Sequence, residues 1–381
     1  MQIPFHKTHT TDEEIEAVVE AINSGWLTMG PKCVEFEEEF KGFTRSKEAV
    51  MLNSATAALH LALKAIGLKE GDEVILPTNT FVATAEVVTY FNATPVLCDI
   101  EEDTHNIDVK KLKSLITSKT KAIIPVHFAG QPCDMDEIYE IANYYLKTKN
   151  QKIYIIEDAA HALPSYYKGQ IIGSLPKTDI TCFSFYATKT LSTGEGGMAT
   201  TNNFEFAKKI KINRLHGISR DAWDRYTSKG SWYYEVVDNG FKYNSTDINA
   251  ALGLVQLKKQ FELKEKRAKI AKKYTQAFIN NSKIITPVVK KDRESSWHLY
   301  VIKVNNRDEV IEKLKEKGIG CSVHFIPIHK HPYYKEKFNY KDSNYPVANK
   351  VYNMSISLPI YPDMSEDEVE YVIKNLKEII G

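Results

Sequence analysis

The chain lacks the features that mark secreted, membrane-bound or nucleic-acid-binding proteins. Cysteine is scarce: five in 381 residues, at 33, 98, 133, 182 and 321, an odd number without a close pair at metal-ligand spacing. Cys98 and Cys182 lie in apolar runs. This predicts buried, reduced thiols rather than a disulfide framework or a metal site. Excess charge is missing too. Fifty Lys+Arg face 49 Asp+Glu, a net +1, so no global field draws the chain to nucleic acid or a membrane surface. A local basic pocket for a phosphate is compatible with that balance. No run approaches the roughly 20 apolar residues of a membrane helix, and the opening Met-Gln-Ile-Pro-Phe-His has no signal-peptide core. Together these absences predict a cytoplasmic protein. Internal repeats and low-complexity tracts are absent as well.

What is present is ordinary for a globular enzyme: 43% hydrophobic and 26% charged residues, in a chain long enough for a large core and two domains. Helical spacing starts after Thr11-Asp12-Glu13-Glu14 and again over 34–43. Short apolar runs then alternate with helical segments. Runs at 49–52, 73–77, 94–99, 120–126, 153–156, 180–185 and 197–200 read as strands, with helices at 56–65, 83–90, 109–116 and 135–145 between them. Continuous rather than alternating apolar strands predict a mostly parallel sheet covered on both faces, hence an α/β fold. A Lys- and Glu-rich helical stretch over 246–278 precedes a change of character. Strands at 297–304 and 321–325 and helices at 307–317 and 366–379 predict a smaller C-terminal α+β domain, with domains at 1–249 and 250–381.

Five segments could carry chemistry. Phe183-Ser184-Phe185-Tyr186-Ala187-Thr188-Lys189 follows a strand and precedes Gly194-Glu195-Gly196-Gly197. Glycines there let backbone approach a ligand, and a desolvated lysine can form a Schiff base with an aldehyde; a surface lysine gives the same pattern. Glu157-Asp158-Ala159-Ala160-His161 puts an acidic pair at a strand's carboxyl end, where open α/β sheets hold ligands. Asp158 is then either the partner of a protonated ring nitrogen or a helix N-cap, and His161 either a site residue or a core histidine. Asn53-Ser54-Ala55-Thr56 predicts a helix N-terminus, which suits a phosphate or is simply capped. Phe81, after Pro77-Thr78-Asn79-Thr80, either stacks on a planar ring or belongs to the core. Lys242 and Asn244, ahead of a helix start, reach an anion or solvate a loop.

The order of these pieces, with Ser24-Gly25-Trp26-Leu27-Thr28-Met29-Gly30-Pro31 near the start and Ser357-Leu358-Pro359-Ile360-Tyr361-Pro362-Asp363-Met364 near the end, resembles the DegT/DnrJ/EryC1/StrS sugar aminotransferases, which are fold type I pyridoxal-phosphate (PLP) enzymes. Glu157-Asp158-Ala159-Ala160-His161-Ala162 and Gly194-Glu195-Gly196-Gly197 carry the resemblance most specifically. It implies a fold type I PLP-dependent transferase in which Lys189 holds the cofactor and moves the proton between substrate carbon and cofactor. Asp158 is implied to pair with the pyridine nitrogen, Phe81 to cover one ring face and His161 to lie at the ring edge. Ala55, Thr56 and Ser184 are implied to hold the phosphate, joined by Lys242 or Asn244 from a partner subunit, which makes the protein a homodimer with shared active sites. Lys242 and Tyr186 depart from the commoner Asn and His of the family, though Lys-Tyr-Asn at 242–244 occurs in the branch with a UDP-4-keto-pentose aminotransferase.

The implied reaction takes an amino group from L-glutamate, which leaves as 2-oxoglutarate, with pyridoxamine phosphate as the intermediate cofactor form. The amine then passes to a nucleotide-linked keto sugar, a UDP-4-keto sugar by the nearest branch, to make an amino sugar for cell-surface glycan or lipopolysaccharide. Trp26, Thr28, Gly30, Tyr186, Arg225, His324 and His329 are the candidates to line the sugar site. The alternatives are another fold type I reaction such as a lyase or decarboxylase, the same chemistry on a dTDP- or GDP-linked sugar at another carbon, and a metabolite-sensing regulator. The last should carry a helix-turn-helix or a basic face, and neither is visible in the sequence.

Overall fold

A computed structural model describes residues 1–219 and 233–381. The strands, in chain order, are β1 (Glu48–Leu52), β2 (Glu73–Pro77), β3 (Thr94–Cys98), β4 (Thr120–Ile123), β5 (Tyr154–Asp158), β6 (Tyr166–Tyr167), β7 (Gln170–Ile171), β8 (Ile180–Ser184), β9 (Gly197–Thr201), β10 (Ile284–Ile285), β11 (Arg293–Glu294), β12 (Tyr300–Val304) and β13 (Ser355–Leu358). Seven of them form one sheet in the order β1-β9-β8-β5-β4-β2-β3. Its strands are buried almost throughout, as continuous apolar runs require.

The pairs β2–β3, β2–β4, β4–β5 and β5–β8 are parallel, while β9 is antiparallel to both β8 and β1. Because β9 alone reverses, β1 points the same way as β8. The carboxyl ends of β1, β2, β5 and β8 therefore open at one edge of the sheet. Two helices start at that edge, Ala55–Ala65 after β1 and Val82–Thr89 after β2. Gly197 sits between Leu52 and Ser184 in the register.

The C-terminal region has its own three-stranded sheet, β10-β12-β13. The helices Gln260–Phe278, Arg307–Glu316 and Glu366–Ile380 pack on it around Tyr274, Ile302, Ile356 and Leu376. Ile3 joins this core from the other end of the chain. The expected division at residue 250 falls inside the helix Asp247–Lys258, which packs on the helices Asp12–Asn23 and Pro31–Thr44.

Besides shifts of up to four residues at strand and helix ends, three features differ from the sequence-based expectation. The stretch 246–278 is two helices, broken at Lys259, whose side chain turns back to Thr11 and Glu14. Residues 321–325 form no strand beyond a single bridge from Ser322 to Ser357, and the Phe325 amide goes instead to Asn79 Oδ1. The strand expected from Trp297 begins only at Tyr300, since Trp297 has φ +52°. The last two departures free His298, His324 and Phe325 to face inward.

Candidate active site

A cavity of about 340 Å³ lies outside the carboxyl ends of β1, β2, β5 and β8, where ligands bind in open α/β sheets. At one end the helix Ala55–Ala65 presents its N-terminus. Ser54 caps it by accepting the Ala57 amide at 3.1 Å, so the amides of Ala55 and Thr56 are left for an anion. Ser184, at the end of β8, lines the same corner. Gly197 makes this corner possible: a Cβ there would meet Ala55 N at 2.6 Å, with the Ser54 carbonyl closer still.

Asp158 ends β5 beneath the cavity. Its Oδ2 accepts the Thr84 hydroxyl at 2.8 Å and its Oδ1 the Ala160 amide at 3.1 Å. No helix follows it, so the N-cap alternative does not arise. Burial raises its carboxyl above the usual range, which is the state of an acid waiting for a positive partner. Its neighbour Glu157 points to the opposite face and meets His127 Nε2 at 2.8 Å.

Lys189 reaches the cavity from the loop after β8, its amide bonded to Tyr186 O at 2.8 Å. Burial lowers its amine to about 8, with Asp158 pulling the other way. An amine so placed is uncharged often enough near neutral pH to act as nucleophile and base. Around it stand four imidazoles, those of His6, His161, His298 and His324. Burial depresses all four, His6 and His324 to about 4 and the other two well below the ordinary histidine value. All are therefore neutral at physiological pH. His161 receives the Ala129 amide at Nδ1 (3.2 Å), meets the tilted ring of His298 at 4.4 Å between centroids and lies nearly parallel to Phe325.

The cavity thus brings together Ala55, Thr56, Phe81, Asp158, His161, Ser184, Tyr186, Lys189 and His324 of the residues singled out from sequence. Phe81 is 58% exposed at its mouth, so it is not a core phenylalanine. The others lie elsewhere. Trp26 donates to Met29 O, and Asp247 holds the Gly30 amide at 2.7 Å, in a turn outside the cavity with Thr28. A Cβ on Gly30 would collide with the Trp26 indole, which is reason enough for glycine there. Lys242 is exposed and bonded to Asn244 Oδ1 at 2.6 Å, also outside. His329 is fully buried, with Nδ1 on Thr78 Oγ1, Nε2 on Asn349 Oδ1 and its ring stacked on Tyr345. Its ring nitrogens are engaged inside the fold, which leaves none for a ligand. Arg225 lies outside the described residues.

Sequence reasoning missed Phe5, His6, Thr84, His298 and Phe325. Only Thr84 carried a signal, one helical turn from Phe81 and on the same strand-to-helix junction.

Comparison with known proteins agrees with this geometry. Residues 8–377 match the DegT/DnrJ/EryC1/StrS aminotransferase family. The spore coat polysaccharide biosynthesis protein SpsC of Bacillus subtilis is 48% identical, covering 99% of this chain and 97% of its own. The putative sugar aminotransferase Spr1654 of Streptococcus pneumoniae, solved in PLP and PMP forms, superposes at a TM-score of 0.92 with 38% identity. In the PMP form 99% of each chain is covered. PseC of Helicobacter pylori, an aminotransferase involved in pseudoaminic acid biosynthesis, superposes at 0.91 with 30% identity, covering 100% of this chain and 99% of that one. With family, fold and a lysine and an aspartate lining one cavity in accord, the chain belongs to the DegT/DnrJ/EryC1/StrS aminotransferase family and is a PLP-dependent sugar aminotransferase.

Proposed function

We propose that the enzyme moves the amino group of L-glutamate to the keto carbon of a nucleotide-linked sugar, a UDP-4-keto sugar first among them, to supply an amino sugar for a cell-surface glycan. The observation that carries this reading is the placement of Lys189 and Asp158 in one cavity with an open helix N-terminus. Kinship with SpsC, a spore coat polysaccharide biosynthesis protein, and with PseC, involved in the biosynthesis of pseudoaminic acid, supports the choice of product class.

The cavity fits pyridoxal phosphate group by group. The Ala55 and Thr56 amides with Ser184 suit the phosphate, the raised carboxyl of Asp158 suits a protonated pyridine nitrogen, and Lys189 suits the aldehyde carbon. When bound, the cofactor supplies an electron sink for the carbon that carries the amino group. Asp158 keeps the ring nitrogen protonated, and Thr84 and Ala160 fix the carboxylate for that task. Phe81 covers a ring face. His161, its Nδ1 occupied by Ala129, donates from Nε2 at the ring edge. Lys189 would tether the cofactor, and its Nζ would hold the proton taken from the substrate carbon and return it during the transfer. Neutral histidines around it add no positive charge that would disfavour its protonation. His324 and Tyr186, which also line the cavity, would meet the sugar.

The active form in this reading is a homodimer. Ile15, Val19 and Ile22 form an exposed apolar stripe on the first helix, which favours a protein partner. Lys242 and Asn244, outside their own cavity, are presented to the partner's. A screen of UDP-, dTDP- and GDP-linked keto sugars with L-glutamate, read by mass spectrometry of the sugar product, tests the substrate. Turnover of a UDP-4-keto sugar with glutamate is expected; amination of none of them contradicts the proposal.

A further inference from the structure

The imidazoles around Lys189 differ in what they offer a ligand. His161 accepts an amide at Nδ1, so its proton sits on Nε2 and it can only donate. His6 is the reverse. Its Nε2 lies 3.1 Å from the carbonyl oxygen of Ala187, which only accepts, so Nε2 carries the proton. Nδ1 is left as a bare lone pair without a partner among the described residues.

His6 is held firmly. The Ile3 amide donates to Gly318 O and the Gly320 amide to Ile3 O, both at 2.8 Å. Gly320 has to be glycine, since a Cβ would meet Phe5 N at 2.6 Å. Phe5 stacks on His324 at 5.5 Å between centroids. The Thr8 hydroxyl joins His6 on Ala187 O at 2.9 Å, two residues before Lys189. The opening segment is thus strapped from the C-terminal region to the lysine loop, and its imidazole forms cavity wall.

The geometry points to His6 as a specificity residue for the sugar: its Nδ1 accepts a hydrogen bond from a hydroxyl of the keto sugar beside Lys189. A carboxylate has only acceptors and gains nothing from a bare nitrogen lone pair, whereas a sugar hydroxyl can donate. His6 therefore distinguishes the second substrate from the amino-acid donor. The role rests on the reading that this cavity takes the keto sugar.

The two half-reactions separate this role from a structural one. His6→Gln keeps an N–H for Ala187 and removes the acceptor at Nδ1; His6→Asn keeps an acceptor near Nδ1 and gives up the tether. Each would be measured as the dimeric holoenzyme, with L-glutamate in single turnover and with the keto sugar nucleotide that the wild type accepts. His6→Gln is expected to raise the sugar KM about fivefold to tenfold while changing the glutamate step less than about twofold. His6→Asn is expected to lie closer to wild type in sugar KM and to slow both steps alike. Equal losses in both steps for His6→Gln, or no loss in either, overturns the role. A wild type active on glutamate but inert to every keto sugar nucleotide overturns the role and the proposed substrate together.

Discussion

The hydroxyl of Thr84 lies 2.8 Å from Oδ2 of Asp158, across from the Ala160 amide on Oδ1. The helix after β2 thereby orients the acid that ends β5. Burial raises the Asp158 carboxyl, and the Thr84 bond works against that rise. As pH falls through its raised value, Asp158 takes up a proton and loses its attraction for a protonated ring nitrogen. Thr84→Val is therefore expected to shift the acid limb of PLP binding to higher pH and to weaken affinity about tenfold, the worth of one hydrogen bond to a charged group. Asp158→Asn is expected to cost at least about 10²-fold in turnover. Titration of PLP affinity against pH checks the first; an unmoved acid limb contradicts it.

Lys189 gives the opposite pH signature. Its folded value of about 8 lies below the ordinary 10.5 because of burial. Only the neutral amine captures an aldehyde, so the rate at which apoenzyme binds PLP covalently is expected to rise about tenfold per unit below pH 8 and level off above it. Between the two values the unfolded chain holds more protons, so this group adds stability as pH rises from about 8 toward 10.5. Stopped-flow absorbance reads the capture rate directly. A rate that keeps climbing past pH 10 would mean an ordinary surface lysine.

Gly197 is tested by a single methyl group. A Cβ at Gly197 would press on the backbone of Ser54 and Ala55, and overpacking of this kind costs about 1–3 kcal/mol. Gly197→Ala is expected to lower stability by about that amount and to weaken PLP and inorganic phosphate binding together, because both need the same amides. Calorimetry with each ligand measures it.

His329 is expected to matter for the fold alone. Its ring is buried between Thr78, Asn349 and Tyr345, and His329→Ala should cost about 2–4 kcal/mol through the cavity and unpaired groups left behind. The kcat and KM of the folded fraction should stay within about twofold of wild type. A large rise in sugar KM at unchanged stability would place His329 in the site after all.

The sheet and many helices were legible because most strands carry a short apolar run and alternate with helical segments along the chain. The anion-binding and lysine end of the cavity was legible for a different reason: Ser54 and Lys189 follow strands, Asp158 ends one, and the carboxyl ends of these strands share one edge. His324 and His329 stand five residues apart in one irregular run, and no periodicity says which turns inward; the amide bond from Phe325 to Asn79 decides it. His6 was illegible because its meaning depends on Ala187, 181 residues away. His298 depends likewise on a positive φ at Trp297 that delays the start of the expected strand.

The central claim is that Lys189 holds the cofactor through which glutamate's nitrogen reaches a keto sugar. The most direct test is the absorbance spectrum of the PLP-loaded wild type and of Lys189→Ala, followed through excess L-glutamate and then a UDP-4-keto sugar. The account predicts a visible band in the wild type that gives way to the pyridoxamine form with glutamate and returns with the sugar, and no such cycle in Lys189→Ala. A wild-type band that ignores glutamate, or an unchanged cycle in Lys189→Ala, would contradict it.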